Sequence, residues 1–294
     1  MIEKNSVADR VSLSAQLSQP GLLRLPGVYD ALSTKIALQS GFSAVYMSGF
    51  SVAGTLLGQP DIGLVTASEM VERASQIVSA AAHAPVIADG DNGYGGPLNV
   101  ARLVNAYERV GVSCVQLEDQ VNPKRCGHMD GKEVVPLNEA VSKIRSAVQA
   151  RNSSDFLIMA RTDARSTHDL KEALTRAEAY LVAGADLLFV EAPHSIAEMQ
   201  QIKQNFPEVP LVANMVEDGK TPWLTPEELV DLGFKIVLYP VSALLSITER
   251  LQACYSDLDQ QGKIGSQDKR STFAGFNSLV GLNEAMQMGD KLKS

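Results

Sequence analysis

The stretch FLIMARTDARSTHDLKEALTRAEAYLVAGADLLFVEA, residues 156–192, carries two apolar runs with about one helix of chain between them. Both runs are almost wholly apolar, as strands covered on both faces are. Between them LKEALTRAEAYLVAGA places apolar residues at helical spacing and ends at Gly184, where a helix C-cap favours a residue that tolerates left-handed backbone. Each run then passes directly into charge: Arg161 and Asp163 after the first, Glu191 after the second.

The same alternation extends in both directions. Strand-like runs occur at LLRLPG (22–27), AVYMSG (44–49), PVIADGD (85–91), CVQLED (114–119), PLVANM (210–215) and IVLYP (236–240), which makes eight in all. Helical patterns between them include ALSTKIALQSG, SEMVERASQIVSAAA, NVARLVNAYERVG and EAVSKIRSAVQAR, with Gly41 and Gly111 in capping positions like that of Gly184. TPEE at Thr225 is a capping box with proline at the first helical position. Strand and helix alternating eight times predict an α/β fold of (β/α)8 TIM-barrel type. An open doubly wound sheet is the competing arrangement, but no GxGxxG or GxxxxGK[ST] follows any strand. The barrel is expected over 1–262. A polar break, GKIGSQDKRSTF, then leads into an amphipathic tail over 263–294 suited to covering a partner surface.

A net charge of −8 disfavours nucleic acid or an anionic membrane as partner and leaves a small anionic substrate open. Cys114, Cys126 and Cys254 form an odd, sparse set without a CxxC, as in a reducing compartment. The N-terminal 21 residues lack a signal-type apolar core, and no run reaches the roughly 18 apolar residues of a membrane span. A cytoplasmic location is expected.

Barrel geometry gathers the carboxyl ends of the strands at one mouth. Those ends carry Tyr46, Ser48, Asp89, Asp91, Glu118, Asp119, Arg161, Asp163, Glu191, Asn214 and Tyr239. Asp89 and Asp91, two apart, face the same side and repel unless a cation or proton lies between them. With Glu118 and Asp119 they offer oxygen only, which suits Mg²⁺ or Mn²⁺; a cluster of Asx turns at a barrel rim is the alternative. Zinc is disfavoured, since Cys126 and His128 lack a second Cys/His pair. The loop EDQVNPKRCGHMDGKEVVP, residues 118–136, concentrates Glu118, Asp119, Lys124, Arg125, Cys126, His128 and Asp130. The flanking cations are expected to lower the Cys126 pKa, fitting it to act as nucleophile or general acid. Cys114 and Cys254 fit structural positions, and His83, His168 and His194 fit solvated ones.

KRCGH preceded by EDQ resembles the isocitrate lyase / phosphoenolpyruvate mutase superfamily, on its lyase branch. YMSGFSVAGTLLGQPDIGLVT, DGDNGYG, MARTDA, FVEAP, ANMVEDGKTP and YPVSAL extend the resemblance over nearly the whole chain. It implies a barrel with Mg²⁺ at the mouth, and homotetramers whose C-terminal helices swap between subunits. It also implies carbon–carbon cleavage of a 2-hydroxy di- or tricarboxylate to pyruvate and a second acid. At this length it is similar to the short 2-methylisocitrate and 2,3-dimethylmalate lyases. Asp89 would then ligate the metal directly, and Asp61, Asp91 and Glu118 through water. Ser48, Gly49, Phe50, Gly127, Arg161, Glu191 and Asn214 would bind substrate. Cys126 would deliver a proton, Tyr46 would serve the substrate hydroxyl, and Lys124, His128 and Arg161 would complete the catalytic set. Phe50 departs from the SGGG of the methylisocitrate branch and places a ring near the substrate, so substrate identity stays open. Oxaloacetate hydrolysis is the nearest alternative; a non-catalytic dicarboxylate-binding barrel fits the intact residue set poorly.

Overall fold

A computed structural model describes residues 12–129, 131–265 and 270–293. Asp130 of the 118–136 loop, part of the polar break and most of the stretch read for a leader lie outside the described residues. The strands are β1 (Leu23–Val28), β2 (Val45–Met47), β3 (Val86–Asp89), β4 (Cys114–Glu118), β5 (Leu157–Thr162), β6 (Leu187–Val190), β7 (Val212–Asn214) and β8 (Ile236–Tyr239). All pairings are parallel, in the order β6-β5-β4-β3-β2-β1-β8-β7. A parallel bridge between Leu188 and Leu211, with Leu188 N donating to Pro210 O, brings the two ends of this sheet together. The sheet is a nearly closed eight-stranded barrel, as the alternation predicted.

Side-chain alternation explains how the barrel positions its chemistry. Leu25, Tyr46, Ile87, Cys114, Met159, Phe189, Val212 and Leu238 belong to one buried interior cluster. Their neighbours Val45, Val115, Ile158, Leu188 and Val237 are buried on the opposite face, beneath the helices. Stepping by two from the interior set reaches Asp89 and Asp91, Gln116 and Glu118, Arg161, Glu191 and Asn214. One period of two therefore fills the core and delivers the charges to the mouth.

Local signals act where expected. Thr225 forms its capping box with Glu228, and Gly41, Gly111 and Gly184 adopt φ of 96°, 91° and 101°. Four helices lacked a sequence signal strong enough to predict: the short Leu13–Ser18 and Ala164–Thr167, and two longer ones. Gly49–Leu57 starts on the last residues of the β2 run, capped by Ser48, and Ile196–Asn205 is capped by Ser195.

The chain forms two compact units that divide at Ser242 and Ala243, twenty residues before the polar break. The second unit includes nearly all of helix Ser242–Gln261 together with Phe273–Leu279 and Leu282–Lys293, and none of these helices has a buried residue. Leu251, Tyr255, Phe273, Met286 and Leu292 are exposed, Phe273 to 86%. No helix among the described residues is long and apolar enough to cross a membrane.

The β1–β8 seam depends on a missing side chain. A Cβ on Gly27 would stand 2.1 Å from the Pro240 carbonyl oxygen. Gly27→Ala must displace backbone, and we expect it to lower stability by about 2 kcal/mol or more. An unchanged urea midpoint would show that the seam yields freely.

Candidate active site

The carboxylate half of the mouth is built around Asp89. Its Oδ1 accepts from Asp91 N at 3.1 Å and Gln116 Nε2 at 3.2 Å; its Oδ2 accepts from Gly49 N at 3.2 Å. Gly49 is the first residue of its helix, and a Cβ there would lie 2.7 Å from Asp89 Oδ2. Burial, and next the charge of Asp91, pushes Asp89 up to about 6. Gln116 also accepts from Tyr46 OH at 3.0 Å. Sequence reasoning missed Gln116; its one signal was an uncharged amide inside an apolar strand. Burial and Asp89 hold the Tyr46 phenol well above its ordinary value, so Tyr46 is a neutral donor rather than a base.

The repulsion between the paired aspartates is answered from the loop. Lys124 Nζ lies 2.5 Å from Asp61 Oδ1 and 2.7 Å from Asp91 Oδ1, and all three residues are buried. Burial alone would lower the lysine pKa, but the surrounding carboxylates raise it well above normal. Asp61 and Asp91 are therefore engaged by an ammonium group. Among the described residues no three His, Cys, Asp or Glu side chains stand in a metal-ligating group. Asp119 faces away from the mouth. It accepts from Thr162 Oγ1, Asp163 N, Tyr180 OH and Arg176 Nη1, tying β4 to β5 and its helix. Tyr239 is likewise not at the mouth with the others; its ring tilts against Trp223 at 5.9 Å between centroids.

The cationic half is built around Arg161. Its Nε and Nη2 each reach Asp163 at 3.0 Å, Nη1 lies 3.3 Å from Glu118, and Nη2 lies 3.4 Å from Glu191. The guanidinium carbon sits 5.3 Å from the centre of the Phe189 ring. Burial raises Glu191, but Arg161 and His128 outweigh it and hold the carboxyl well below its usual range. His128 Nδ1 accepts from Lys220 N at 3.1 Å, which leaves Nε2 to donate to Glu191 Oε1 at 3.1 Å. Asn214 Nδ2 donates to Glu191 Oε2 at 3.2 Å. Glu118 is buried and pushed well upward by desolvation, and its Oε1 has no hydrogen-bond partner.

The 118–136 loop closes over both halves. Its limbs pair through an antiparallel bridge between Gln120 and Val134, and the Gln120 side chain holds both backbone groups of Arg125. At the tip, a Cβ on Gly127 would stand 2.3 Å from Arg161 Nη2 and 2.8 Å from Glu191 Oε2. Only glycine lets the backbone approach this closely. Cys126, next to it, is half-buried. Desolvation pushes its thiol up to about 11, against the expected lowering. The flanking cations fail to act on it for a geometric reason: Lys124 turns to Asp61 and Asp91, and Arg125 is exposed. Ser48 is buried at the N-cap beside Gly49, and Phe50 is half-buried on the next position.

The phosphoenolpyruvate phosphomutase family model matches residues 13–258. The chain belongs to this family. It is 46% identical to 2,3-dimethylmalate lyase of Eubacterium barkeri over 92% of its length and 94% of that protein's. It is 41% identical to 2-methylisocitrate lyase of Bacillus subtilis (strain 168), covering 84% of this chain and 80% of the relative. The solved structure of oxaloacetate acetylhydrolase in complex with the inhibitor 3,3-difluorooxalacetate superposes with a TM-score of 0.93 at 34% identity, over 98% of both chains. The family spans lyases and mutases on one barrel, and this member is an enzyme of the lyase type.

The thiol's raised pKa has a direct chemical readout, because alkylation proceeds through thiolate. At pH 8 Cys126 should react with iodoacetamide on the order of 10²-fold more slowly than an unperturbed thiol. Site-resolved mass spectrometry showing Cys126 as reactive as a free thiol would contradict the closed, desolvated site.

Proposed function

We propose that the enzyme cleaves the C2–C3 bond of a 2-hydroxydicarboxylate resembling 2,3-dimethylmalate or 2-methylisocitrate, releasing pyruvate and a second carboxylic acid. One observation carries this reading. A neutral, desolvated thiol sits on the loop whose backbone lies directly against Arg161 and Glu191. A group that protonates carbon must hold its proton until the carbanion forms, and a thiol at about 11 does so at neutral pH.

The residues divide the work. The Ser48 hydroxyl and the N-terminal end of the Gly49–Leu57 helix would receive a carboxylate at the pyruvyl end, while the Gly49 N–H is held by Asp89. Arg161, Asn214, His128 and the Gly127 backbone bind the departing acid and stabilise its developing charge. The hydroxyl proton leaves to a base, the C2–C3 electron pair moves to C3, and C2 becomes the carbonyl of pyruvate. C3 carries that pair as an aci-carboxylate and takes the thiol proton of Cys126. The resulting thiolate recovers a proton from water once the loop opens. Tyr46, a neutral donor, orients Gln116 and through it Asp89, and Lys124 anchors the loop to Asp61 and Asp91. Loop closure excludes water from the carbanion.

The carboxylate half fits a small hard cation. Its donors are buried oxygens, Asp89 is pushed up to about 6, and Glu118 Oε1 lacks a partner. Asp89 and Glu118 would hold Mg²⁺, or Mn²⁺, which needs few protein carboxylates and completes its shell with water and substrate. The ion would act as a Lewis acid toward the oxygen that becomes the pyruvate carbonyl.

The resemblance of fold to oxaloacetate acetylhydrolase supports one second reading, hydrolysis of oxaloacetate. A panel of 2,3-dimethylmalate, 2-methylisocitrate and oxaloacetate, with Mg²⁺ and with EDTA, separates the two. We expect Mg²⁺-dependent pyruvate from one of the first two substrates. We expect Cys126→Ser to lose on the order of 10²-fold or more in kcat, since serine is a far weaker acid. Oxalate and acetate from oxaloacetate as the dominant products would overturn the lyase reading. So would near wild-type turnover by Cys126→Ser.

The exposed apolar helices of the second unit support assembly of a cytoplasmic homotetramer in which those helices pack on a neighbouring subunit. Truncation after residue 270 should lower the mass measured by light scattering; an unchanged assembly would contradict this.

A further inference from the structure

Lys132 lies on the returning limb of the loop, beyond Gly127, and its side chain is 1% exposed. Its ammonium group donates to the Gly127 carbonyl, at the loop tip, and to Asp163 Oδ1 at 2.7 Å, just past the end of β5. The same Asp163 Oδ1 accepts from Arg161 Nη2 at 3.0 Å, and Oδ2 accepts from Arg161 Nε at 3.0 Å. Asp163 N is in turn fixed by Asp119 Oδ1 at 2.9 Å. One carboxylate therefore sets both the orientation of the guanidinium and, through Lys132, the height of the loop tip above it.

We propose that Lys132 is a positioning residue that latches the loop tip to the barrel, holding Gly127 on Arg161 and Glu191 and thereby Cys126 over the reacting carbon. What the latched loop is for rests on the lyase reading; the latch itself does not. Neutralising Asp163 is too small a role for Lys132. Asp163 already has a two-point contact with Arg161, and a neutralising lysine has no need of the Gly127 carbonyl. That carbonyl is a group on the moving part of the site. Lys124 and His128 also tie the tip to the barrel, through Asp61 and Asp91 and through Glu191. Loss of Lys132 should therefore loosen the tip without unfolding the barrel.

The test uses the full-length protein as wild type, Lys132→Met and Lys132→Arg. Iodoacetamide labelling at pH 8 is resolved by mass spectrometry at Cys126 and Cys254. Lys132→Met should label at Cys126 on the order of tenfold faster than wild type, because an open tip rehydrates the thiol and restores thiolate. Cys254 should label at the wild-type rate. On whichever panel substrate is turned over, kcat should fall on the order of tenfold while KM moves less than about threefold, as a reduced closed fraction of the bound enzyme requires. Lys132→Arg keeps the charge and should fall between the two. Where Lys132→Met fails to fold, the Arg variant decides: at least about threefold faster labelling confined to Cys126 supports the latch. An unchanged Cys126 rate overturns it, and so does equal acceleration at Cys126 and Cys254, which is general loosening. If no panel substrate is cleaved, the lyase reading fails, and the labelling still decides the latch.

Discussion

Arg161 carries its charge inside a barrel, where isolating an ion from water costs several kcal/mol even after relaxation. The guanidinium is met by Asp163 at two points, by Glu118 and by Glu191, with Phe189 beside it. Each of those carboxylates is itself buried and passes the requirement on: Glu191 to His128 and Asn214, Asp163 to Lys132 and the Asp163 N–H to Asp119. Three elements distant in sequence are recruited by one buried cation. Among them is the 118–136 loop, which supplies both Lys132 and His128. The loop is closed because the charges beneath it need its partners.

The carboxylate half follows the same rule with the opposite sign. Asp61, Asp89, Asp91 and Glu118 bring more negative charge than local donors can satisfy. Lys124 is drawn in from the loop to serve two of them. Asp89 has only neutral donors and is pushed upward, and one oxygen of Glu118 has no hydrogen-bond partner. That residual demand separates an acidic half of the mouth from the half organised by Arg161. The enzyme's family membership and the neutral thiol above the boundary then favour polarised cleavage, with an electron-accepting end and a protonated end, over nucleophilic attack by cysteine.

Packing explains where glycine was needed at the site. Gly49 and Gly127 are the points at which backbone approaches a charged side chain more closely than any Cβ permits. At Gly49 an N–H is aimed at Asp89; at Gly127 a loop is lowered onto Arg161 and Glu191. Phe50, directly after Gly49, is half-buried beside the mouth. It is the natural place to look for substrate discrimination.

Much was determined by the sequence alone, because it rests on local periodicity. The apolar runs, their Gly41, Gly111 and Gly184 caps and the capping box at Thr225 depend on neighbours a few residues away, and they specify eight strand–helix units. Position at the carboxyl ends of the strands also marked Asp89, Glu118, Arg161, Glu191 and Asn214 as mouth residues. Partnership was decided only by the tertiary structure. Lys124 and Cys126 are two residues apart, yet the lysine turns to carboxylates more than thirty and sixty residues away, and the thiol keeps its proton. Asp119 follows Glu118 but faces the helices, because successive strand residues point to opposite sides. Gln116 and Lys132 carry no motif, and their importance comes from what they bridge. Charge and pKa depend on distance through space and on desolvation, and neither can be read from adjacency along a chain.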